Sequence, residues 1–156
     1  MGLEVNNNKI IFTRTFKATT KAVYKAYTDK TLFSQWFHPK GATTEVFEFN
    51  VREGGKAFFA IHTPQGTSYT VTQYNKVTEP NYIDYNDFFA NAQGEINKTM
   101  AGMHNIVQIE DEGEGYVKVI ATSELPDATS VQRLIDMGVE QGMQATFDNL
   151  EQLLSS

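Results

Sequence analysis

Between residues 44 and 125 the chain is punctuated by five turn signals, and this rhythm constrains its fold more than any other feature. The signals are Glu53-Gly54-Gly55, Pro64-Gln65-Gly66, Glu79-Pro80-Asn81, Ala92-Gln93-Gly94 and Glu112-Gly113-Glu114-Gly115. Glycine reaches backbone conformations that other residues avoid, and proline cannot donate to a strand ladder. Between the turns apolar residues recur with period two, the spacing of a half-buried strand. Six strands are expected here, near 44–50, 56–63, 67–78, 81–90, 102–111 and 115–125. Each connection is too short for a parallel crossover, so the sheet is expected to be an antiparallel meander.

The flanking segments differ. Residues 9–16 alternate Ile10, Phe12, Arg14 and Phe16 against Ile11, Thr13 and Thr15, which reads as a further strand and makes about seven in all. Thr19 or Thr20 can then cap a short helix with Val23, Ala26 and Tyr27 as its buried stripe. Asp29 caps a second, carrying Leu32, Phe33 and Trp36, which Pro39 and Gly41 stop. After Leu125-Pro126, Asp127 opens a helical pattern that continues to about 154 through Val131, Leu134, Ile135, Val139, Phe147, Leu150 and Leu154. This is expected to be the longest element.

Gly138 and Gly142 lie four apart in that helix and Ala145 follows, although each glycine costs a helix interior roughly 1 kcal/mol relative to alanine. Such a stripe either lets a neighbour approach closely or leaves space for something. No repeat, linker or low-complexity stretch divides the 156 residues, so one domain structured from about 8 to 154 is expected.

A formal net charge of −6 and the lack of a basic run disfavour nucleic acid and anionic membrane surfaces as partners. The absence of cysteine excludes disulfides, thiolate metal sites and thiol nucleophiles. No apolar stretch approaches the roughly 18 residues of a membrane helix, and no signal-peptide core is present near the start, so a cytoplasmic location is expected.

The order strand, two short helices, six strands and long helix resembles the α+β helix-grip fold of the START-like, birch-pollen-allergen-like superfamily. Local motifs narrow the resemblance. Thr28-Asp29 with Leu32 and Trp36-Phe37-x-Pro39-x-Gly41 is similar to the W-T-D-P-x-x-L-x-x-W-W-x-P-x-G run of the family named for the activator of the heat-shock-protein-90 ATPase. Val51-Arg52-Glu53-Gly54-Gly55 resembles its x-v-R-p-G-G, and Thr63-Pro64-Gln65-Gly66 its p-d-G hairpin. The stretch from Gly142-Met143 through Leu150 and Leu153 resembles its G-W-x-x-x-L-x-x-L helix, with Met where Trp is usual. The resemblance implies a curved antiparallel sheet wrapped around the C-terminal helix. It also implies a role among ligand carriers and stress-related proteins, a family defined by fold more than by activity.

In a helix grip, the elements bearing Trp36, Phe47, Phe49, Phe59, Ile61, Tyr69, Tyr85, Phe89, Met137, Met143 and Phe147 would face the space between sheet and helix. Flat rings line ligand cavities well, and Tyr or Trp can add one orienting hydrogen bond. With Gly138 and Gly142 leaving room on the covering helix, these residues are the candidate pocket lining. His62, His104 and Arg52 are candidate polar handles. On strand 81–90, Asp84 shares one phase with Tyr82 and Phe88, and Asp87 shares the other with Ile83, Tyr85 and Phe89, so aromatics on both faces leave open which acid points inward.

The three histidines, His38, His62 and His104, are too dispersed for a preorganised metal site, and no cofactor motif occurs. No nucleophile elbow is present, and the serines are expected in turns, caps or the tail. The glycine-rich pieces lack the Lys-Ser/Thr partner of a phosphate loop and read as hairpin turns.

Three functions follow. The first is binding of a small, largely apolar or amphipathic molecule between helix and sheet, by a protein that is monomeric or paired through an exposed sheet edge. The second takes the family name literally, as a co-chaperone, although the additional N-terminal domain implied for the eukaryotic activator has no room in this chain. The third is cyclase, dehydratase or isomerase chemistry on the same superfamily fold, with His62, His104 or a buried Asp moving the proton. No motif calls for catalysis, and binding is the expected role.

Overall fold

The computed structural model describes residues 2–100 and 102–155. Strands β1 (Gly2–Asn6) and β2 (Lys9–Lys17) are followed by helices α1 (Thr20–Thr28) and α2 (Lys30–Trp36). Then come β3 (Thr43–Phe49), β4 (Lys56–Thr63), β5 (Gly66–Thr78), β6 (Tyr82–Ala90), β7 (Met103–Gly113) and β8 (Tyr116–Glu124). Helices α3 (Ala128–Asp136) and α4 (Val139–Ser155) close the chain. The strands form one open antiparallel sheet in the order β1-β2-β8-β7-β6-β5-β4-β3. This is the α+β helix-grip fold, with α4 packed across the sheet.

Eight strands replace the seven expected, because Gly2–Asn6 pairs with β2 from Gly2↔Thr13 to Asn6↔Lys9. The hairpin turns at Asn7, whose φ of 58° is one that asparagine tolerates better than most residues. The six later strands lie where turn residues and period two placed them.

Side-chain caps set the helices. Thr19 accepts the Ala22 amide at 3.1 Å to start α1. Asp29 ends α1 and, accepting from the Leu32 amide at 3.0 Å, starts α2. Asp127 accepts from the Ser130 amide at 2.8 Å to start α3, and these bonds hold its carboxyl below the usual range.

The long C-terminal helix of the sequence pattern is two helices. Met137 caps α3, and Gly138 follows with φ of +89°, a left-handed conformation open to glycine and costly for other residues. Gly138 therefore turns the chain between α3 and α4 and is not part of a helical face.

The principal core joins Phe12, Phe16, Val107, Ile109, Val117 and Val119 of the sheet to Val23, Trp36, Phe147 and Leu150 of the helices. Phe147 stacks on Phe12 with centroids 5.2 Å apart. Burying such rings stabilises a fold by about 1.5–3 kcal/mol each. Arg14 occupies a buried position in the apolar phase of β2. Its guanidinium lies 2.8 Å from Asp148 and 3.2 Å from Glu151 and packs over Phe16, which ties the sheet to α4. Beyond α2, Asn149 donates to the His38 carbonyl at 3.0 Å and Thr146 to the same carbonyl at 3.2 Å. These bonds hold the loop after α2 against α4.

Candidate functional site

A cavity of about 200 Å³ lies between the C-terminal helices and the sheet. From α4 its wall is Val139, Met143, Thr146 and Phe147, residues spaced to share one helical face. Tyr27, Trp36 and Phe37 close it from α1, α2 and the following loop. Its floor is the concave face of the sheet, with Ile10 from β2, Tyr85 and Asp87 from β6, Met103, Asn105 and Val107 from β7, and Ala121 and Ser123 from β8.

Trp36 is fixed by its Nε1–H, which donates to the Ala26 carbonyl at 2.9 Å. A smaller space of about 20 Å³, large enough for one water, continues past Tyr85 and Asp87 toward Phe59, Thr72 and Tyr74. On the other side an open groove of about 590 Å³ runs along Phe88, Phe89, Met100, Leu125 and Met137. Asp87 contributes to all three spaces, and Met103 and Leu134 belong to both the cavity and the groove.

Asp87 is the acid that the strand turns inward. Its cross-strand neighbour Thr72 donates to Oδ1 at 2.6 Å, and Asn105 donates to Oδ2 at 3.3 Å. Asn105 is held in turn by its own bond to the Met103 carbonyl and by the Ser123 hydroxyl, which donates to its Oδ1 at 2.7 Å. Ser123, expected in a turn, cap or tail, thus sits on β8 as part of this network. Burial pushes the Asp87 carboxyl up to about 6, with the Thr72 hydrogen bond pulling the other way. The Tyr85 hydroxyl rises well above its ordinary value through burial first and the Asp87 charge second. Tyr74 is raised by the same two causes, and Tyr27 by burial alone.

The structure sorts the candidate residues. Trp36, Tyr85, Met143 and Phe147 line the cavity, and Phe59 lines the small space beyond it. Phe49 packs inward against Phe33 with centroids 4.9 Å apart, and Ile61 packs against the core, but neither borders the cavity. Phe47 and Tyr69 stand on the opposite face of the sheet with Phe58.

The expectation that Phe47 and Phe49 share a face is corrected by a register shift between Val46 and Glu48. The extra residue at that bulge is Phe47, which is rotated outward. Phe89 is 52% exposed and Met137 is 80% exposed, and both border the outer groove. Gly138 is the turn between helices. Gly142 lies on α4 with open space where a Cβ would stand and is outside the cavity wall, so the small-residue stripe does not face the cavity.

All three polar handles lie elsewhere. His62 meets Glu45 and Thr67, each at 2.9 Å, on the outer phase of β4. His104 meets Asp84 at 2.7 Å and Glu124 at 3.6 Å on the outer phase of β7. Arg52 is exposed in the turn before β4. Among the described residues no cluster of three His, Cys, Asp or Glu side chains could hold a metal ion. Asn105, Thr72 and Met103 were not singled out by sequence, because an isolated polar or thioether residue on a strand carries no sign of which face will be covered.

An open antiparallel sheet gripping a C-terminal helix, with an apolar cavity between them, defines the helix-grip class of the START-like superfamily. The family model described as Activator of Hsp90 ATPase homolog 1-like protein matches residues 17–155, and the chain belongs to that family. It is similar to a solution structure from Staphylococcus epidermidis, with 47% identity, a TM-score of 0.91 and coverage of 99% of this chain and 94% of that one. A crystal structure from Mycobacterium smegmatis shares the fold at 20% identity and a TM-score of 0.88, covering 99% and 96% of the two chains. Another from Silicibacter pomeroyi, titled with the same family name, does so at 18% identity and a TM-score of 0.75, covering 94% and 97%. No curated protein matches the sequence. Among the described residues no helix is long and apolar enough to cross a membrane.

Proposed function

We propose that the protein binds a small, largely apolar or amphipathic molecule in the cavity between α4 and the sheet. The observation that carries this reading is the cavity itself: about 200 Å³ walled by Tyr27, Trp36, Met143 and Phe147, with one half-buried carboxylate on its floor. Protein interiors pack to the density of organic crystals, so a space this size persists because it serves something or is tolerated at a cost. Met143 supports the first. It stands where the family usually has Trp, and the smaller, flexible thioether leaves volume that an indole would fill.

The histidines of the catalytic alternative point away from this space, which leaves Asp87 as its one acid. Thermal shift and native mass spectrometry against a panel of apolar and amphipathic small molecules test the proposal. Members of the panel are expected to raise the melting temperature of the parent protein and to be retained as one-to-one complexes. Met143→Trp, which refills the chamber, is expected to abolish both effects while keeping the fold. A silent panel, or a response that survives Met143→Trp unchanged, would refute it.

A further inference from the structure

The inner cavity is mainly apolar, and its one charged group gives it a definite polarity. Among the described lining residues there is no Lys, Arg or His, and Asp87 is the single formal charge. A carboxylate accepts about four hydrogen bonds through its two oxygens and donates none. Thr72 occupies one site on Oδ1 and Asn105 one on Oδ2. Both donors reach it from the flanking strands, and Ser123 fixes Asn105 in turn. The carboxylate is thereby held rigid with acceptor capacity left over, at the point where cavity, small void and outer groove meet.

A ligand carboxylate placed there would meet like charge, and a ligand carbonyl or ether would meet an acceptor. A cationic donor would meet its complement, and the rings of Tyr27, Trp36, Tyr85 and Phe147 in the same chamber present faces that attract cations. Size adds a limit. An apolar cavity of roughly 150 Å³ takes up benzene. About 200 Å³ therefore suits one ring with a short arm.

We propose that the ligand of this cavity is a small primary or secondary amine on an apolar, single-ring body, its ammonium group on Asp87 and its ring among Trp36, Tyr85 and Phe147. The inference rests on the ligand-binding reading above and names the chemical class. Met103 and Leu134 border both the cavity and the outer groove, so a ligand entering from the groove would pass these two side chains. The ionisable groups facing Asp87 are Tyr85 on its own strand, Tyr74 on β5 and Tyr27 on α1, with Arg133 of α3 across the outer groove. The tyrosines stay neutral at ordinary pH. Because burial pushes the Asp87 carboxyl up to about 6, its charge grows between pH 5 and pH 7.5, and amine affinity grows with it.

The test is titration calorimetry on the full chain with three near-isosteric probes, 2-phenylethylamine, 2-phenylethanol and 3-phenylpropanoate, at pH 5 and pH 7.5. The amine is expected to bind at least tenfold tighter than the alcohol at pH 7.5, with the carboxylate weakest. The margin between amine and alcohol is expected to shrink severalfold at pH 5. In Asp87→Asn the two should bind alike at both pH values, whereas Asp84→Asn, on the outer face, should preserve the preference. The probe and pH comparisons need no variant, so they decide the matter even where a variant folds poorly. An alcohol that binds as tightly as the amine overturns the amine inference and leaves the cavity reading standing. If no probe binds while other panel members do, the inference again fails alone. Silence from both probes and panel overturns the cavity reading as well.

Discussion

Gly138 and Gly142 look equivalent in the sequence, and the structure requires them to respond oppositely to the same substitution. At Gly142 the backbone is helical and a Cβ would meet nothing within 4 Å. Gly142→Ala therefore gains the helix propensity difference of about 1 kcal/mol with no steric penalty. At Gly138 a Cβ has room, its nearest neighbour being Gln141 Oε1 at 3.5 Å, but φ is +89°. An alanine there carries the left-handed cost of about 1–2 kcal/mol. Reduced freedom of the unfolded chain offsets about 0.4–1 kcal/mol of that, leaving a net loss near 1 kcal/mol. For a domain of about 150 residues, 1 kcal/mol moves the melting temperature by about 2–4 °C.

Scanning calorimetry should thus place Gly142→Ala about 2–4 °C above the parent and Gly138→Ala about as far below. Were α3 and α4 one continuous helix, both substitutions would stabilise. A rise in melting temperature for Gly138→Ala would therefore refute the break and the cavity wall built on it. Because that wall is Val139, Met143, Thr146 and Phe147, Gly142→Ala should also leave ligand capacity unchanged.

Other perturbations probe the site itself. Phe147 is 4% exposed and stacks on Phe12, so Phe147→Ala should cost about 3–5 kcal/mol in urea denaturation. A loss under about 1 kcal/mol would mean the ring does not join α4 to the sheet. For Asp87, burial raises the folded-state carboxyl from 3.8 to about 6. The folded chain then holds the proton more tightly, so this contribution is full below the unfolded value and is lost as pH rises through about 6. The ionised group costs roughly 2–3 kcal/mol at neutral pH. Asp87→Asn should accordingly exceed the parent in urea midpoint at pH 7.5, with the gap narrowing toward pH 4; a gap independent of pH would refute the assignment.

Local chemistry made much of this fold legible before any coordinates. Turn glycines and prolines, period two and capping residues such as Thr19, Asp29 and Asp127 act through neighbours a few positions away, so strand limits and helix starts could be read from the chain. The hairpin of β1 was missed: Leu3 and Val5 alternate before Asn7-Asn8, but so short and polar a strand carries little signal without the partner it pairs with.

Tertiary structure decided the rest. Whether Phe47 or Phe49 faces the core depends on a bulge set by pairing with β4. Whether Asp84 or Asp87 points into the cavity depends on which face of β6 the helices cover, because aromatics on both faces make its pattern symmetric. The break at Gly138 depends on two helical stripes that must meet different parts of the sheet. Faces, bulges and voids are relations between distant segments, whereas periodicity records only that a segment has two faces. The long helix of the sequence pattern became two, and with that the space beneath it acquired a wall, a floor and one charge.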